Sequence, residues 1–345
     1  CGGCQLQHAS YEEQLRAKGA IVVAAFRRIA HLDVATPAVR AAKSPWRYRR
    51  KLTLALRRNG EGWYAGLRRH DAPNAVFSVR DCLITAESVV HVWRNVLAAA
   101  AHLPSATMLR GSVRVRHDGG ASFVLEGADV WPCAAEFFSA VPALRSLWWI
   151  PAHGKRRRLA TREAAAGASE PDASFLQVNA ATGASMLEYV LARVRAHAPE
   201  HVIDAYAGIG DASAALDGEG IRVTAIELDR DAGEWAANRL SPRSGVVMDR
   251  VENALAAVLP ADVVILNPPR TGVDARVCEA IGRASRRPRA VVYVSCDPAT
   301  LARDVSRMPG WRIASLTCFD MFPQTAHVET VCELVPVGPV MADGA

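Results

Sequence analysis

Across all 345 residues, no apolar run reaches the eighteen or so residues that a bilayer crossing needs. The sequence therefore calls for no membrane. Lysine is nearly missing: four of the 41 basic residues are Lys and 37 are Arg. A bias of the whole proteome accounts for that choice as readily as a need for forked, phosphate-matching guanidinium groups. The eight cysteines are scattered, without the spacing of a disulfide framework, and nothing near Cys1 reads as a secretory signal. A reducing, cytoplasmic setting is the expectation. Internal repeats are also lacking. The first residue is Cys, not Met, so the numbering is expected to begin inside a longer protein.

What is present is unevenly placed. Residues 1–160 hold 24 Lys+Arg and 11 Asp+Glu, a net of +13; the remainder holds 17 and 24, a net of −7. Proteome bias does not explain that division. A basic front half that binds a polyanion and a back half that works on a small molecule do. Residues 46–69 interleave cations with aromatics, in Trp46-Arg47-Tyr48-Arg49-Arg50-Lys51, Arg57-Arg58, Trp63-Tyr64 and Arg68-Arg69. Looped or single-stranded RNA suits such a stretch, with bases stacking on rings and guanidinium planes. A solvated basic hairpin about Asn59-Gly60 is the plainer alternative. The segment 153–174 reads as a loop-rich boundary between a front domain, 1–170, and a back domain, 171–345.

Behind residue 183 the rhythm changes. Helices at 183–197, 211–218, 230–239, 274–285 and 298–307, with a short one after 248, alternate with apolar strands at 201–206, 221–227, 245–248, 262–267 and 290–295. This pattern predicts an α/β domain with a parallel, doubly wound sheet. Two further strands, 311–319 and 328–335, are expected as an antiparallel edge pair. The front domain reads as a smaller α+β unit: a helix from Tyr11 to Ile29, another over 86–103, and strands near 52–67, 111–117, 121–126 and 145–150.

The chemistry-bearing residues lie at predicted strand ends. Asp204-Ala205-Tyr206-Ala207-Gly208-Ile209-Gly210-Asp211 ends the first strand of the sheet with a glycine turn that lets backbone approach a ligand. Glu227, at the tip of the second strand, suits the two hydroxyls of an unmodified ribose. The loop departs from the G-x-G-x-x-G spacing of dinucleotide sites, so S-adenosylmethionine fits better, with Asp204 available to its ammonium. Asn267-Pro268-Pro269-Arg270 ends the fourth strand. Cys296 follows the fifth, with Asp297 as N-cap and Pro298 at the first helical position. A helix N-terminus favours thiolate and makes Cys296 a candidate nucleophile; a small buried apolar cysteine is the alternative.

Five segments together resemble the RNA uracil-5 methyltransferases. They are Ser174-Phe175-Leu176-Gln177-Val178-Asn179, the turn 204–211, Asn267-Pro268-Pro269-Arg270, Ser295-Cys296-Asp297-Pro298-Ala299-Thr300-Leu301-Ala302-Arg303-Asp304, and Asp320-Met321-Phe322-Pro323-Gln324-Thr325-Ala326-His327-Val328-Glu329-Thr330. The resemblance implies a Rossmann-like class I methyltransferase domain and transfer of methyl from S-adenosylmethionine to uracil C5. It implies Cys296 as nucleophile and Glu329 as base, and Gln177, Tyr206, Asp211, Glu227 and Asn267 around the methyl donor. Read without it, Glu329 is an edge-strand carboxylate in salt bridges. Cys1-Gly2-Gly3-Cys4 with Cys82 resembles the iron–sulfur subgroup, most of whose members modify 23S ribosomal RNA. That likeness implies Cys1, Cys4 and Cys82 as ligands of a [4Fe–4S] cluster whose fourth ligand lies outside this chain.

The chain also departs from that pattern. Asn267 stands where the family has Asp. Asn-Pro-Pro is shared with amino-group methyltransferases, though these carry an aromatic residue where Arg270 stands. Four thiolates are usual for a [4Fe–4S] centre, so a zinc site or a redox Cys-x-x-Cys competes for the three cysteines. The expectation is a monomeric cytoplasmic enzyme acting on 23S ribosomal RNA. Transfer RNA is the alternative substrate, and a catalytically idle RNA-binding or assembly factor the alternative class.

Overall fold

The computed structural model describes residues 1–60, 62–116, 119–162 and 177–338. Residues 174–176 of the first motif and the expected boundary at 170–171 lie outside them. In chain order the helices are α1 (Tyr11–Ala25), α2 (Glu87–Ala98), α3 (Ala134–Ala140), α4 (Ala180–Arg195), α5 (Asp211–Gly218), α6 (Arg230–Ala237), α7 (Val251–Val258), α8 (Ala275–Arg283) and α9 (Pro298–Ser306). The strands are β1 (Ala38–Arg40), β2 (Lys51–Asn59), β3 (Gly62–Arg68), β4 (Val76–Ser78), β5 (Met108–Val115), β6 (Ala121–Glu126), β7 (Leu144–Ile150), β8 (Arg157–Thr161), β9 (His201–Ala205), β10 (Arg222–Ile226), β11 (Gly245–Val247), β12 (Val263–Leu266), β13 (Ala290–Ser295), β14 (Trp311–Phe319) and β15 (Glu329–Pro336).

Two compact units divide the chain, and they interleave along the sequence. Unit 1 comprises Cys1–Gln7, Ser44–Asp172 and Pro323–Thr325; unit 2 comprises His8–Lys43, Ala173–Phe322 and Ala326–Ala345. Residues 8–43, read from sequence as part of the front domain, thus fold with the back unit.

Among the described residues, the sheet of unit 2 has the order β1-β14-β15-β13-β12-β9-β10-β11. Strands β11, β10, β9, β12 and β13 are parallel, as their crossover helices require. Both faces of the central strands are covered, which explains their unbroken apolar character. Ile203, Val264, Val291 and Tyr293 pack with α1, α7, α8 and α9; Val202, Val263, Ile265 and Val292 pack with α4 and α5. The order reverses between β9 and β12, so a crevice opens there, outside the strands' carboxyl ends.

The last two strands correct the sequence reading. Strands β14 and β15 are antiparallel as expected, but β15 inserts between β13 and β14, and β1 pairs parallel with β14 beyond them. The pair is therefore interior. β1 has three residues, too few to show a period. At its end the Arg40 carbonyl accepts from the Asp320 N–H at 2.9 Å, and Lys18 of α1, fully buried, binds the Asp320 carboxylate and, at 2.9 Å, the Phe322 carbonyl.

In unit 1 the sheet order is β4-β3-β2-β5-β6-β7-β8 among the described residues. Leu52, Leu54, Val113, Phe123, Leu125 and Leu147 pack under α2 and α3, with Trp93 edge-on to Phe123 and its indole N–H donating to the Leu52 carbonyl. The β2–β3 hairpin turns at Asn59-Gly60 as its sequence predicts, Gly60 taking φ +60°. The supposed linker after residue 153 instead contributes an edge strand: β8 pairs antiparallel with β7. Its polar, arginine-rich composition hid a strand that buries little.

Candidate active site

The segments that carry the candidate residues meet at the carboxyl edge of the unit 2 sheet. Parallel β9, β10, β12 and β13 all end there, and antiparallel β15 begins there.

At the end of β9, Tyr206 takes φ +63°, and Gly208 and Gly210 take φ +57° and +76°. A side chain on Gly210 would meet Ala236 Cβ at 2.7 Å, so the α5–α6 packing requires glycine. Nothing lies within 4 Å of where a Gly208 side chain would begin. That empty cradle borders the crevice. Glu227 arches back over it, its carboxylate accepting from the Gly208 and Asp229 N–H groups at 2.7 Å each. Asp204 lies beneath, buried, accepting from Ser213 Oγ at 2.6 Å. Burial pushes its acid up to about 6, and the charges of Glu227 and Asp211 push the same way. Three carboxylates therefore surround the turn, an environment that suits a cationic ligand group. Asp204 itself is committed to Ser213.

The other residues expected around a methyl donor divide. Gln177 packs its Cβ and Cγ over Gly183 in the first turn of α4, and its buried Oε1 has no hydrogen-bond partner. Asn179 caps that helix through the Thr182 N–H at 3.3 Å. Asp211 at the start of α5 is paired with Arg239 at 2.8 Å. Burial and then the neighbouring carboxylates of Glu252 and Asp274 raise the Tyr206 phenol, whose ring packs on the core under α7 and α8. Asn267 is exposed beyond β12, its N–H donating to the Ala205 carbonyl at 3.2 Å. An orphaned acceptor, an open glycine cradle and a carboxylate at the β10 tip fit an adenosine-bearing cation.

Cys296 and Glu329 come together through register. Strand β13 pairs with β15 up to Ser295 opposite Thr330; one step further along the same ladder stand Cys296 and Glu329. Glu329 is only 6 % exposed. Burial pushes its acid up to about 7, opposed by the Arg270 guanidinium. Cys296 is half-buried. Burial and the Glu329 charge push its thiol up, while Arg270 pulls it down. The expectation of an acidic thiol at a helix N-terminus is corrected for a local reason. Asp297 Oδ1 already accepts from the Ala299 and Thr300 N–H groups, at 2.9 and 3.1 Å, leaving fewer free donors for a thiolate.

Arg270 was missed as a site residue, although its charge acts on both members of the pair. Its loop is fastened to α9. Thr300 Oγ1 donates to the Arg270 carbonyl at 3.1 Å, and Arg303 to the Thr271 carbonyl at 2.8 Å. Gly272, at φ +76°, leaves no room for a side chain against Thr300 and Asp304. Asp304 accepts from the Val273 N–H at 2.9 Å and the Tyr293 hydroxyl at 2.7 Å.

The cysteines expected to hold a cluster do not form a group of three ligands among the described residues, where no three His, Cys, Asp or Glu side chains are placed to hold a metal ion. The negative charge of Cys82 reinforces burial in raising the Cys4 thiol, and Cys1 is exposed and free. No helix among the described residues is long and apolar enough to cross a membrane.

Comparison with known proteins bears on these motifs. The family model for tRNA (Uracil-5-)-methyltransferase matches residues 247–335, which hold Asn267, Cys296 and Glu329. A 23S rRNA (uracil(1939)-C(5))-methyltransferase of Pseudomonas aeruginosa is 31% identical over 363 residues, covering 96% of this chain and 77% of that protein. The corresponding protein of Dichelobacter nodosus is 30% identical, covering 96% and 81%. A solved Pyrococcus abyssi tRNA (uracil-54, C5)-methyltransferase, in complex with S-adenosyl-L-homocysteine, shares the fold with a TM-score of 0.72 at 22% identity, covering 96% of this chain and 85% of that one. By relatedness at this level over nearly its whole length, the chain belongs to the RNA uracil-5 methyltransferase family.

Proposed function

We propose that this chain methylates C5 of a uridine in 23S ribosomal RNA through a covalent Cys296–C6 adduct. The reading rests above all on the β13–β15 register, with Cys296 and Glu329 next in line at the ligand edge of the sheet. The ribosomal substrate rests on the names of the two relatives that are 30% and 31% identical.

Uracil C5 is too weak a nucleophile to be alkylated unaided. The Cys296 thiolate adds to C6, and the C5–C6 π pair moves into an enolate at O4. Gln177, Glu227 and the turn at Gly208 would hold S-adenosylmethionine, whose sulfonium-bound methyl carbon C5 would take as the C–S electron pair departs with the neutral thioether S-adenosylhomocysteine. Glu329 then removes the C5 proton, the electron pair re-forms the C5–C6 bond, and the Cys296 sulfur leaves. An acid pushed up to about 7 is poised for that transfer at neutral pH. Arg270 favours the thiolate before attack and the carboxylate before proton removal. Since the route is redox-neutral, Cys1, Cys4 and Cys82 have no step in it; iron and zinc analysis of anaerobically purified full-length protein would measure what they hold. The target uridine must leave its stack to meet Cys296, which calls for an open or remodelled loop. A ribosomal substrate sets the work in the cytoplasm.

Mapping 5-methyluridine in ribosomal and transfer RNA, from cells with and without the protein, tests the reading. Loss confined to one 23S position is expected. Loss confined to transfer RNA would move the substrate, and methyl on an exocyclic nitrogen would reject the uracil chemistry. RNA carrying 5-fluorouridine should trap an adduct on Cys296 that Cys296→Ala cannot form. A Cys296→Ala enzyme working at the native rate would overturn the nucleophile.

A further inference from the structure

Residues 8–43 fold into unit 2 without a part in the chemistry proposed above, yet their strand brings a cation to the ligand edge. Parallel pairing sets Arg40, the last residue of β1, opposite Phe319, the last of β14. Antiparallel pairing sets Phe319 opposite Glu329, the first residue of β15. One step beyond the β13–β15 ladder stands Cys296. Partners in neighbouring strands carry their side chains on one face. Arg40, Phe319, Glu329 and Cys296 therefore form a single row along the carboxyl edge. The face is the one that α4 covers, since Val292, Val294, Phe319 and Val331 pack with that helix. Three interstrand steps separate Arg40 from Cys296, about 14 Å.

The Arg40 guanidinium is held in place with its donors unspent. Its carbon lies 4.6 Å from the Tyr189 ring centroid and 5.4 Å from that of Phe319, in cation–π range. It thus leans over β14, the next strand towards Glu329 and Cys296. The two rings are 5.6 Å apart, and the Tyr189 hydroxyl shares a 2.9 Å hydrogen bond with Thr317 Oγ1. Ring contacts orient a guanidinium and leave it a planar fork of N–H donors, the geometry that matches a phosphate. Arg40 is exposed, and no carboxylate or carbonyl among the described residues takes those donors. The carboxylate nearest in the chain, Asp320, is buried and bound to Lys18.

We propose that Arg40 binds a backbone phosphate of the RNA beside the target uridine. A uridine turned out of its stack to meet Cys296 brings its flanking phosphates to this edge, and phosphate contacts fix register without reading sequence. The proposal rests on the uracil methyltransferase reading above and deepens it, placing an RNA contact on the catalytic unit itself. An edge-strand arginine that only covers two aromatic rings is the plainer role.

The test uses the full chain and a fluorescein-labelled RNA stem–loop whose loop holds its one uridine, followed by anisotropy over a salt series. Arg40→Met keeps an apolar cover on the rings and removes the charge. It should weaken binding about tenfold and flatten the slope of log K against log salt by about 0.7, the single-strand value for one phosphate. Arg40→Lys should restore the slope but only part of the affinity, because an ammonium lacks the fork. In the wild type, a neutral methylphosphonate at one linkage near the uridine should weaken binding as much, a measurement that needs no change to the protein. In Arg40→Met the same linkage should cost nothing further. KM for the RNA should rise in Arg40→Met with kcat within about twofold, since the contact is made in ground and transition state alike. Arg283→Ala, on α8, controls for net charge. Melting temperature and affinity for S-adenosylhomocysteine should not move in any of the three variants.

Wild-type affinity and slope in Arg40→Met would overturn the site and leave the arginine as ring cover. So would a loss spread evenly over every linkage. An equal loss of S-adenosylhomocysteine affinity would also overturn it, by giving the guanidinium to the donor's carboxylate. If the wild type forms 5-methyluridine while Arg40→Met binds RNA normally, the site fails and the function stands. If the wild type forms none while Arg40→Met loses RNA affinity through one linkage, the reverse holds.

Discussion

A carboxyl group that keeps its proton to about pH 7 costs the folded state something, and Glu329 makes that cost measurable. Its ordinary value of 4.5 is raised to about 7, so the native protein binds more protons than the unfolded chain between those values. Glu329's contribution to stability is therefore whole below about pH 4.5, declines as pH rises, and is lost above about 7. The full shift corresponds to about 3 kcal/mol. Glu329→Gln removes the titration. Its stability relative to wild type should climb between pH 5 and 7.5, by up to about 3 kcal/mol, in urea titrations at fixed salt. Parallel profiles for the two proteins would show that Glu329 is hydrated and carries no such shift. The same variant should retain adduct formation on Cys296 but fail to release it, because elimination needs the C5 proton gone. The sequence showed Cys296 and Glu329 as members of motifs 33 residues apart. It did not show Arg270 acting on both, since proximity between loops is a product of packing order and no local pattern encodes it.

Among the elements, the parallel strands and their helices were legible because each carries a strong local signal: an unbroken apolar run, an N-cap such as Asp297, a proline at the first helical position. The strands missed were β1, β4 and β8. The first two span three residues each, and all three stand at or beside a sheet edge, where burial leaves little apolar imprint. The loop between β12 and α8 obeys a different logic. Its shape is imposed by Asp304 of α9, which is fully buried and holds the Val273 N–H, the Tyr293 hydroxyl and the Arg303 guanidinium at once. Asp304→Ala strands those donors and should cost about 3 kcal/mol in urea unfolding. It should also lower methyl transfer more than donor affinity, since Arg270 loses its anchorage before Gln177 or Glu227 is disturbed. Equal loss of both, or of neither, would mean that the loop holds its shape without α9.

For the molecule as a whole, the charge division between front and back survives in the structure, but the boundary between units does not follow it. Residues 8–43 carry no motif, and nothing in their composition separates them from unit 1. Their membership of unit 2 is written in long-range contacts: Val22 and Phe26 are fully buried in the core with Ile203 and Val264, β1 pairs with β14, and Lys18 meets Asp320 in the interior. Burial lowers the Lys18 ammonium against the opposing pull of the Asp320 charge, while burial and then the Asp320 charge raise the Tyr11 phenol. Removing one partner of a buried ion pair leaves the other uncompensated, at about 3–5 kcal/mol. A fragment of residues 171–345, cut where the sequence suggests a domain boundary, lacks that lysine, the apolar face of α1 and the strand beside β14. It should give no cooperative urea transition, whereas the full chain should unfold with one. Lys18→Met in the full chain isolates the ion pair from the rest and should reproduce about 3 kcal/mol of the deficit. A fragment that melts sharply near the full-length temperature would show that residues 8–43 lie on a catalytic unit complete without them.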